Sequence, residues 1–255
     1  MKLQFKTNPD YIFLQAINQS QPNVPFKEWK DFTNGIWEES KEIFYFLGGY
    51  AEYRLYPRKE KDIEKLVKKA MEVFNQLRET KEFRRLIAET KEYQQFIENQ
   101  WERNKKDALK ILEELSELEL PGKTITVFVT HPNLKNGFAM PQYNTIGWGH
   151  SEDWENYSTI YLCHEIMHLL TKNTNIMHAL IQLMTDNELR IRLNKKGRYF
   201  TYKKIVQKEK MPPYFKELWQ LEKKIYPYWE EYLKDKKGRN IIDLEKEIER
   251  KIKKH

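Results

Sequence analysis

The chain is poor in several features that define large protein classes. It contains a single cysteine among its 255 residues, so no disulfide can form within one chain, as is usual for proteins of reducing compartments. No stretch approaches the roughly twenty consecutive apolar residues of a transmembrane helix, and the first residues lack the apolar core of a signal peptide. We therefore expect a cytoplasmic protein without a membrane partner.

Charge is abundant but mixed in sign. Lys and Arg number 45 against 38 Asp and Glu, a formal net charge of +7, and the chain has seven tryptophans. A basic chain rich in aromatic residues is a candidate for nucleic-acid binding. Glutamates interleave with the lysines, however, and no known nucleic-acid-binding motif is present, which favours a solvated helical surface. Nucleic-acid binding is therefore kept only as the weakest alternative function.

Histidine is scarce as well, with six residues, yet two of them are placed as a motif. His164, Glu165 and His168 form an H-E-x-x-H pattern inside an apolar segment. Histidines four residues apart lie on the same side of an α-helix, so both imidazoles can bind one metal ion while the adjacent glutamate faces water at that ion. The segment predicts a buried helix with Ser158 as its N-cap. The pattern as a whole predicts a zinc-dependent hydrolase.

A catalytic zinc ion takes three protein ligands, and Glu188 is the leading candidate for the third. It falls on the apolar stripe of a helix predicted over residues 176–193, which a short connection would fold back beside the histidines. One alternative is that Glu188 pairs with Arg190 or Arg192, or is rotated to the edge of the helix. Another is that His178 is the ligand, although at about 100° per residue it points about 80° away from Glu188. We favour Glu188 and assign His178 a structural or supporting role.

The zinc motif and Glu188 resemble the gluzincin, or thermolysin-like, zinc metallopeptidases. Nineteen residues separate His168 from Glu188, and Asn187 precedes Glu188, which is similar to the spacing and the dipeptide of that family. The resemblance covers about residues 123–193. It departs from the family at Arg192, because many members have an acidic residue there that orients the first histidine.

The resemblance implies a zinc metallopeptidase with one Zn²⁺ per chain, bound by His164, His168 and Glu188. Glu165 would act as general base and then as general acid in the attack of a zinc-bound water on a peptide bond. The implied substrate is a peptide or an unfolded protein. A non-catalytic or latent zinc-binding protein is the alternative, although a purely structural zinc site has no need of a base such as Glu165.

Two strands are predicted before the zinc helix. β-Branched and aromatic residues at 124–129 predict the first, and residues 144–149 predict a second one that glycines weaken. In gluzincins the edge strand before the zinc helix binds substrate in extended form, and the resemblance implies this substrate-binding role for Ile146, Gly147 and Trp148. A bulged strand with a structural role is the alternative.

A peptidase also needs a hydrogen-bond donor for the developing oxyanion, usually from across the cleft. The candidates are Tyr199 and Tyr202, after the glutamate helix, and His150, after the second predicted strand. The chain has fifteen tyrosines, so a structural role is the alternative for each candidate. The sequence leaves the oxyanion donor open.

The remaining sequence is mainly helical. Residues 60–118 predict two or three amphipathic helices with charged outer faces, and a further helical region follows Pro213. We therefore predict an α+β, mainly α-helical fold with a small β-sheet, the zinc-binding helix, the glutamate helix and additional helices. Residues 1–118 would form a mainly helical region that guides substrate or inhibits the enzyme. Residues 119–255 would form the zinc metallopeptidase unit with its C-terminal helices.

Overall fold

A computed structural model of the chain describes residues 1–18, 78–197 and 213–252, together with 64–65, 68, 71–72 and 74–76. The strands are β1 (Lys2–Thr7), β2 (Thr124–Val129), β3 (Asn136–Met140) and β4 (Thr145–Gly149). The α-helices are α1 (Pro9–Asn18), α2 (Lys81–Ser116), α3 (Tyr157–Leu170), α4 (Asn175–Gln182), α5 (Arg190–Asn194), α6 (Pro213–Lys234) and α7 (Ile241–Ile252). A π-helical segment, Leu183–Leu189, joins α4 to α5. None of the described helices is long and apolar enough to cross a membrane.

These elements form an α+β, mainly helical fold with a small mixed sheet, as predicted. The sheet order is β1-β2-β4-β3, in which β1, β2 and β4 run parallel and β3 pairs antiparallel with β4. The strand predicted at 124–129 is confirmed as β2. Strand β1 was not predicted, although Leu3 and Phe5 alternate with polar residues and are the buried positions of that strand.

The second predicted strand lies inside the sheet and not at its edge. β4 pairs with β2 on one side and with β3 on the other, and all five of its residues are buried. Because its backbone is already used in two ladders, it cannot accept a further strand. The expectation that residues 144–149 form a substrate-binding edge is therefore wrong. Within the described part of the chain, the edge next to β4 is β3.

One hydrophobic core joins the two halves of the chain. Leu3 of β1, Trp101 of α2, Val127 of β2 and Leu244 of α7 belong to the same buried cluster. Helix α2 is a single helix of 36 residues and spans most of the stretch in which two or three helices were predicted. Described residues on both sides of position 118 therefore share one sheet and one core, and the predicted boundary there does not separate two cores.

The helix predicted around the zinc motif is confirmed as α3, but it begins differently from the prediction. Its N-cap is Asn156, in the left-handed conformation with φ of 60°, and not Ser158. The backbone N–H and the hydroxyl of Ser158 both donate to the carboxylate of Glu152. The indole N–H of Trp148 on β4 donates to Oγ of Ser158 at 2.8 Å. These bonds hold the start of α3 against the sheet, about two turns before the motif.

The second helix of the predicted site is continuous but not uniform. Oγ1 of Thr174 accepts from the backbone N–H of Met177 at 3.0 Å and so caps α4. Further along, the backbone N–H of Arg190 donates to the carbonyl of Thr185, five residues earlier, as in a π-helix. A π turn holds more residues than an α turn. Side-chain directions beyond Leu183 therefore do not follow the 100° step that the sequence-based prediction assumed.

Candidate metal centre

The two histidines of the motif face a common point. His164 and His168 lie one turn apart on α3, and their Nε2 atoms are 3.2 Å apart. Two imidazole nitrogens bound to one tetrahedral zinc ion, each at 2.0–2.1 Å, would be separated by about 3.3 Å. The spacing of the motif pair therefore fits a shared zinc ion.

A third imidazole comes from α4. The ring centroid of His178 lies 5.4 Å from that of His164 and 4.8 Å from that of His168. One ligand nitrogen from each of the three residues lies within 4.8 Å of the other two. Among the residues that the structure describes, no other set of three or more His, Cys, Asp or Glu side chains meets this criterion. The fold thus adds His178 to the pair that the motif predicts.

Glu188, the predicted third ligand, lies outside this group. Its side chain is nearly buried, and its Oε2 atom accepts a hydrogen bond from Nε of Arg192 at 3.3 Å. This ion pair is one of the two alternatives that the sequence left open for Glu188. The arrangement gives no support to Glu188 as a ligand. The third side chain beside His164 and His168 is that of His178.

Burial keeps the three imidazoles neutral. Desolvation lowers the pKa of His164 well below its usual value, and the neighbouring His168 and His178 lower it further when they are charged. Desolvation also lowers the pKa of His168, to about 4, and lowers the pKa of His178. A neutral imidazole keeps a ring-nitrogen lone pair, which is the form in which histidine binds a metal ion.

Glu165 follows His164 on α3, and its carboxylate lies against β3. The backbone N–H of Ala139 donates to its carboxylate, and Oε1 would be 3.6 Å from a methyl group placed on Gly137. Burial raises the pKa of Glu165 to about 7, and the hydrogen bond from Ala139 offsets part of that rise. A carboxyl group with a pKa near neutrality can both take and give a proton, as a general base that becomes a general acid must.

Strand β3 presents backbone groups next to Glu165. The N–H of Ala139 is directed at Glu165 and so points away from β4. Residues two apart in an antiparallel strand point their N–H and C=O groups the same way, so those of Gly137 also face outward. The side chain of Phe138 is 58% exposed. An extended chain could therefore add to this edge by main-chain hydrogen bonds.

The three residues predicted to bind substrate pack in the interior of the protein, around the sheet. Ile146 is fully buried in the core. A methyl group at Gly147 would overlap the hydroxyl oxygen of Tyr11, so glycine there permits α1 to approach the sheet. The indole N–H of Trp148 is bound at the start of α3. Their packing gives no support to a direct contact with substrate.

Of the predicted oxyanion donors, Tyr199 and Tyr202 lie outside the described residues. The imidazole of His150 stacks on the ring of Tyr157, with centroids 4.8 Å apart. Tyr157 precedes His164 by about two turns of α3. His150 therefore belongs to the start of that helix, and its position gives no support to an oxyanion role.

Two features of the site were missed from the sequence. His178 was set aside because the helix was treated as one regular α-helix with Glu188 on its inner face. Thr185, whose Oγ1 atom lies 3.2 Å from Nδ1 of His164, was not considered at all. The available signal for it was the polar run from Thr185 to Glu188, which follows an apolar helical stretch.

Comparison with known proteins found no relative of this chain. No protein-family model matches the chain, and neither a curated protein nor a solved structure matches it.

Proposed function

We propose that the chain is a zinc-dependent metallopeptidase with Glu165 as its general base and with His164, His168 and His178 as its metal ligands. One observation carries the proposal. Three imidazole nitrogens on two neighbouring helices lie within 4.8 Å of one another, and the residue next to His164 on α3 is the buried Glu165. A metal ion would use all three lone pairs at once.

The chemistry of the donor set fits a catalytic zinc ion. Three neutral imidazoles form one of the known catalytic ligand sets, and three protein ligands leave a position for water or substrate, whereas structural sites are closed by a fourth protein ligand. His178 departs from the glutamate of the gluzincin pattern. The resemblance therefore supports the motif and its chemistry, and the geometry of the imidazoles supports the third ligand.

The residues around the metal position suit the hydrolysis of an amide. Zinc bound there would polarise the scissile carbonyl and make a water molecule more acidic. Glu165 would take the proton of the attacking water and deliver it to the leaving amine. Burial raises the pKa of Glu165 to about 7, which suits a group that first accepts and then donates a proton.

The edge of β3, with which no strand of the described residues pairs, favours a peptide as the substrate. The outward N–H and C=O of Gly137 would pair with an extended backbone, and the hydrogen bond from Ala139 holds Glu165 beside that edge. Main-chain pairing selects for an extended peptide with little dependence on its side chains. An unfolded protein or a peptide therefore fits better than a folded protein.

Metal analysis of the purified protein tests the ligand set. We expect one zinc ion per chain in the wild type and in Glu188→Ala, and loss of zinc in His178→Ala. His131→Ala is the matched control, because His131 is a buried histidine that bonds to Glu89 outside the three-imidazole group. Zinc that is retained by His178→Ala but lost from Glu188→Ala would contradict this ligand set and restore the gluzincin one.

Cleavage of a mixture of unstructured peptides, followed by mass spectrometry, tests the reaction. The zinc-loaded full chain should cut them, a chelator should stop the cleavage, and added zinc should restore it. Stoichiometric zinc without cleavage of any peptide would instead favour the non-catalytic or latent alternative.

A further inference from the structure

The imidazole of His164 is held at both of its nitrogens. Nε2 faces Nε2 of His168 at 3.2 Å, and Nδ1, on the far side of the ring, lies 3.2 Å from Oγ1 of Thr185. A neutral imidazole carries one ring proton, and the partner of one nitrogen decides which nitrogen carries it. The partner of Nδ1 therefore decides whether Nε2 is free to bind a metal ion.

The hydroxyl group of Thr185 is arranged to accept a hydrogen bond from His164. Its single hydrogen has the carbonyl oxygen of Ile181 as acceptor at 2.7 Å, with Oδ1 of Asp186 as a more distant second acceptor at 3.4 Å. Once the hydrogen is donated to Ile181, the oxygen has only lone pairs to offer. The bond to His164 must then run from Nδ1–H to Oγ1.

Burial makes this bond hard to replace. Thr185 is fully buried and His164 is only 5% exposed, so bulk water does not reach the contact between them. A buried N–H without an acceptor carries a desolvation penalty. The favoured tautomer of His164 in this environment therefore has its proton on Nδ1.

The π-helical segment directs Thr185 towards α3. Thr185 contacts His164, and the next residue, Asp186, accepts from the hydroxyl of Tyr161 at 3.3 Å, one turn earlier on α3. Consecutive side chains of an α-helix point about 100° apart, which makes it difficult for both to reach one neighbouring helix. The wider π turn reduces that angle, so two successive polar side chains face α3.

We propose that Thr185 is a positioning residue whose hydroxyl holds the proton of His164 on Nδ1 and so presents Nε2 to the metal ion. Thr185 would thus orient the first histidine, the role that an acidic residue at the position of Arg192 has in the gluzincin pattern. The inference rests on the proposed function only in requiring a metal ion at the three histidines.

Zinc affinity, measured on the full chain by competition with a chelator, tests this role. Thr185→Val keeps the shape of the side chain but removes the acceptor, and it should weaken zinc binding by about 10–100-fold. Thr185→Ser keeps the hydroxyl and should bind zinc nearly as the wild type does. Thr90→Val is the matched control, because Thr90 is fully buried in α2 and its hydroxyl donates to the carbonyl of Leu86 at 2.7 Å without an imidazole partner. This control should leave zinc affinity unchanged.

The possible outcomes separate this inference from the metal centre itself. Equal zinc affinity of wild type and Thr185→Val would overturn the role of Thr185 while leaving the metal centre intact. If Thr185 had only a structural role, Thr185→Val would lower the melting temperature, as Thr90→Val would, without changing zinc affinity. Thr185→Ala supplies a second hydroxyl-free variant should Thr185→Val fail to fold. Absence of zinc binding by the wild type would overturn the metal centre, and the role of Thr185 with it.

Discussion

The two ends of α3 are both buried and polar, but their polar groups are arranged in opposite ways. At the first turn the protein supplies a donor and an acceptor for each bond: Ser158 donates to Glu152, and Trp148 donates to Ser158. In the second half, His164 and His168 turn ring nitrogens towards each other, and His178 joins them from α4. The first arrangement is satisfied by protein groups, whereas three converging imidazoles form a group that could hold a cation.

This difference in hydrogen bonding distinguishes the cluster around Ser158, which stabilises the fold, from the three imidazoles, which we propose bind a metal ion. Burial alone does not, because Ser158 and His164 are both buried. The pKa shifts point the same way: desolvation keeps the imidazoles neutral, so each ring keeps one nitrogen with a lone pair, which an imidazolium ion lacks. The start of α3 is thus expected to contribute stability, and its second half to contribute metal binding and chemistry.

The largest effect is expected on kcat, at Glu165 of α3. Glu152, which bonds to the start of the same helix, provides the comparison. Glu165→Gln should lower kcat for peptide cleavage by about 10²–10⁴-fold, because an amide cannot carry the proton, while zinc content stays at the wild-type level. Glu152→Gln should leave kcat close to that of the wild type and lower the melting temperature, since Glu152 accepts from Ser158 at the helix start. Steady-state kinetics and metal analysis of both variants provide the measurement. A similar loss of kcat in the two variants would break the comparison.

A smaller effect is expected on stability when zinc is added. At about a hundred times its Kd, zinc should raise the free energy of unfolding by about 2.7 kcal/mol, because it binds the native state and not the unfolded chain. His178→Ala should lose this increment and Trp148→Phe should keep it. Urea unfolding with and without zinc gives both values. An increment in His178→Ala equal to that of the wild type would place the metal elsewhere.

The smallest effect is expected at the start of α3. Trp148→Phe removes the indole N–H that bonds to Ser158 at 2.8 Å, and should lower the free energy of unfolding by about 1–3 kcal/mol. Zinc affinity should not change, because Trp148 lies on β4 and its partner Ser158 lies about two turns before His164 on α3. Urea unfolding and chelator competition measure the two quantities on one protein sample. Weakened zinc binding in this variant would show that the two ends of the helix are coupled.

Local patterns predicted the elements in which a single segment determines its own structure. The apolar segment around the zinc motif forms α3, and the β-branched segment at 124–129 forms β2. The edge strand was misplaced because β3 has the sequence Asn-Gly-Phe-Ala-Met, which contains no β-branched residue and has a low strand propensity. Its partner β4 supplies the pairing, and no property of residues 136–140 alone reveals that.

The prediction of Glu188 as the third ligand rested on an assumption that the structure does not meet. Two positions on one helix, His178 and Glu188, were compared on the assumption of a constant 100° step, but the π-helical segment Leu183–Leu189 begins between them. Arg192 also provides a nearby partner for Glu188, which removes the need for a metal ion to balance its charge. The face of α4 that meets α3 depends on how the two helices cross, which is a property of their packing.

The sequence by itself determined the helix that carries His164, Glu165 and His168, because spacing along one helix places them on adjoining positions without help from the rest of the chain. Only the tertiary structure decided that His178 completes the imidazole group, that Thr185 contacts His164 from the far side, and that β3 is the edge strand beside Glu165 in the described part of the sheet. Each of these three is a contact between segments that meet through helix packing or strand pairing, and the residues on either side carry no local pattern that specifies their partner.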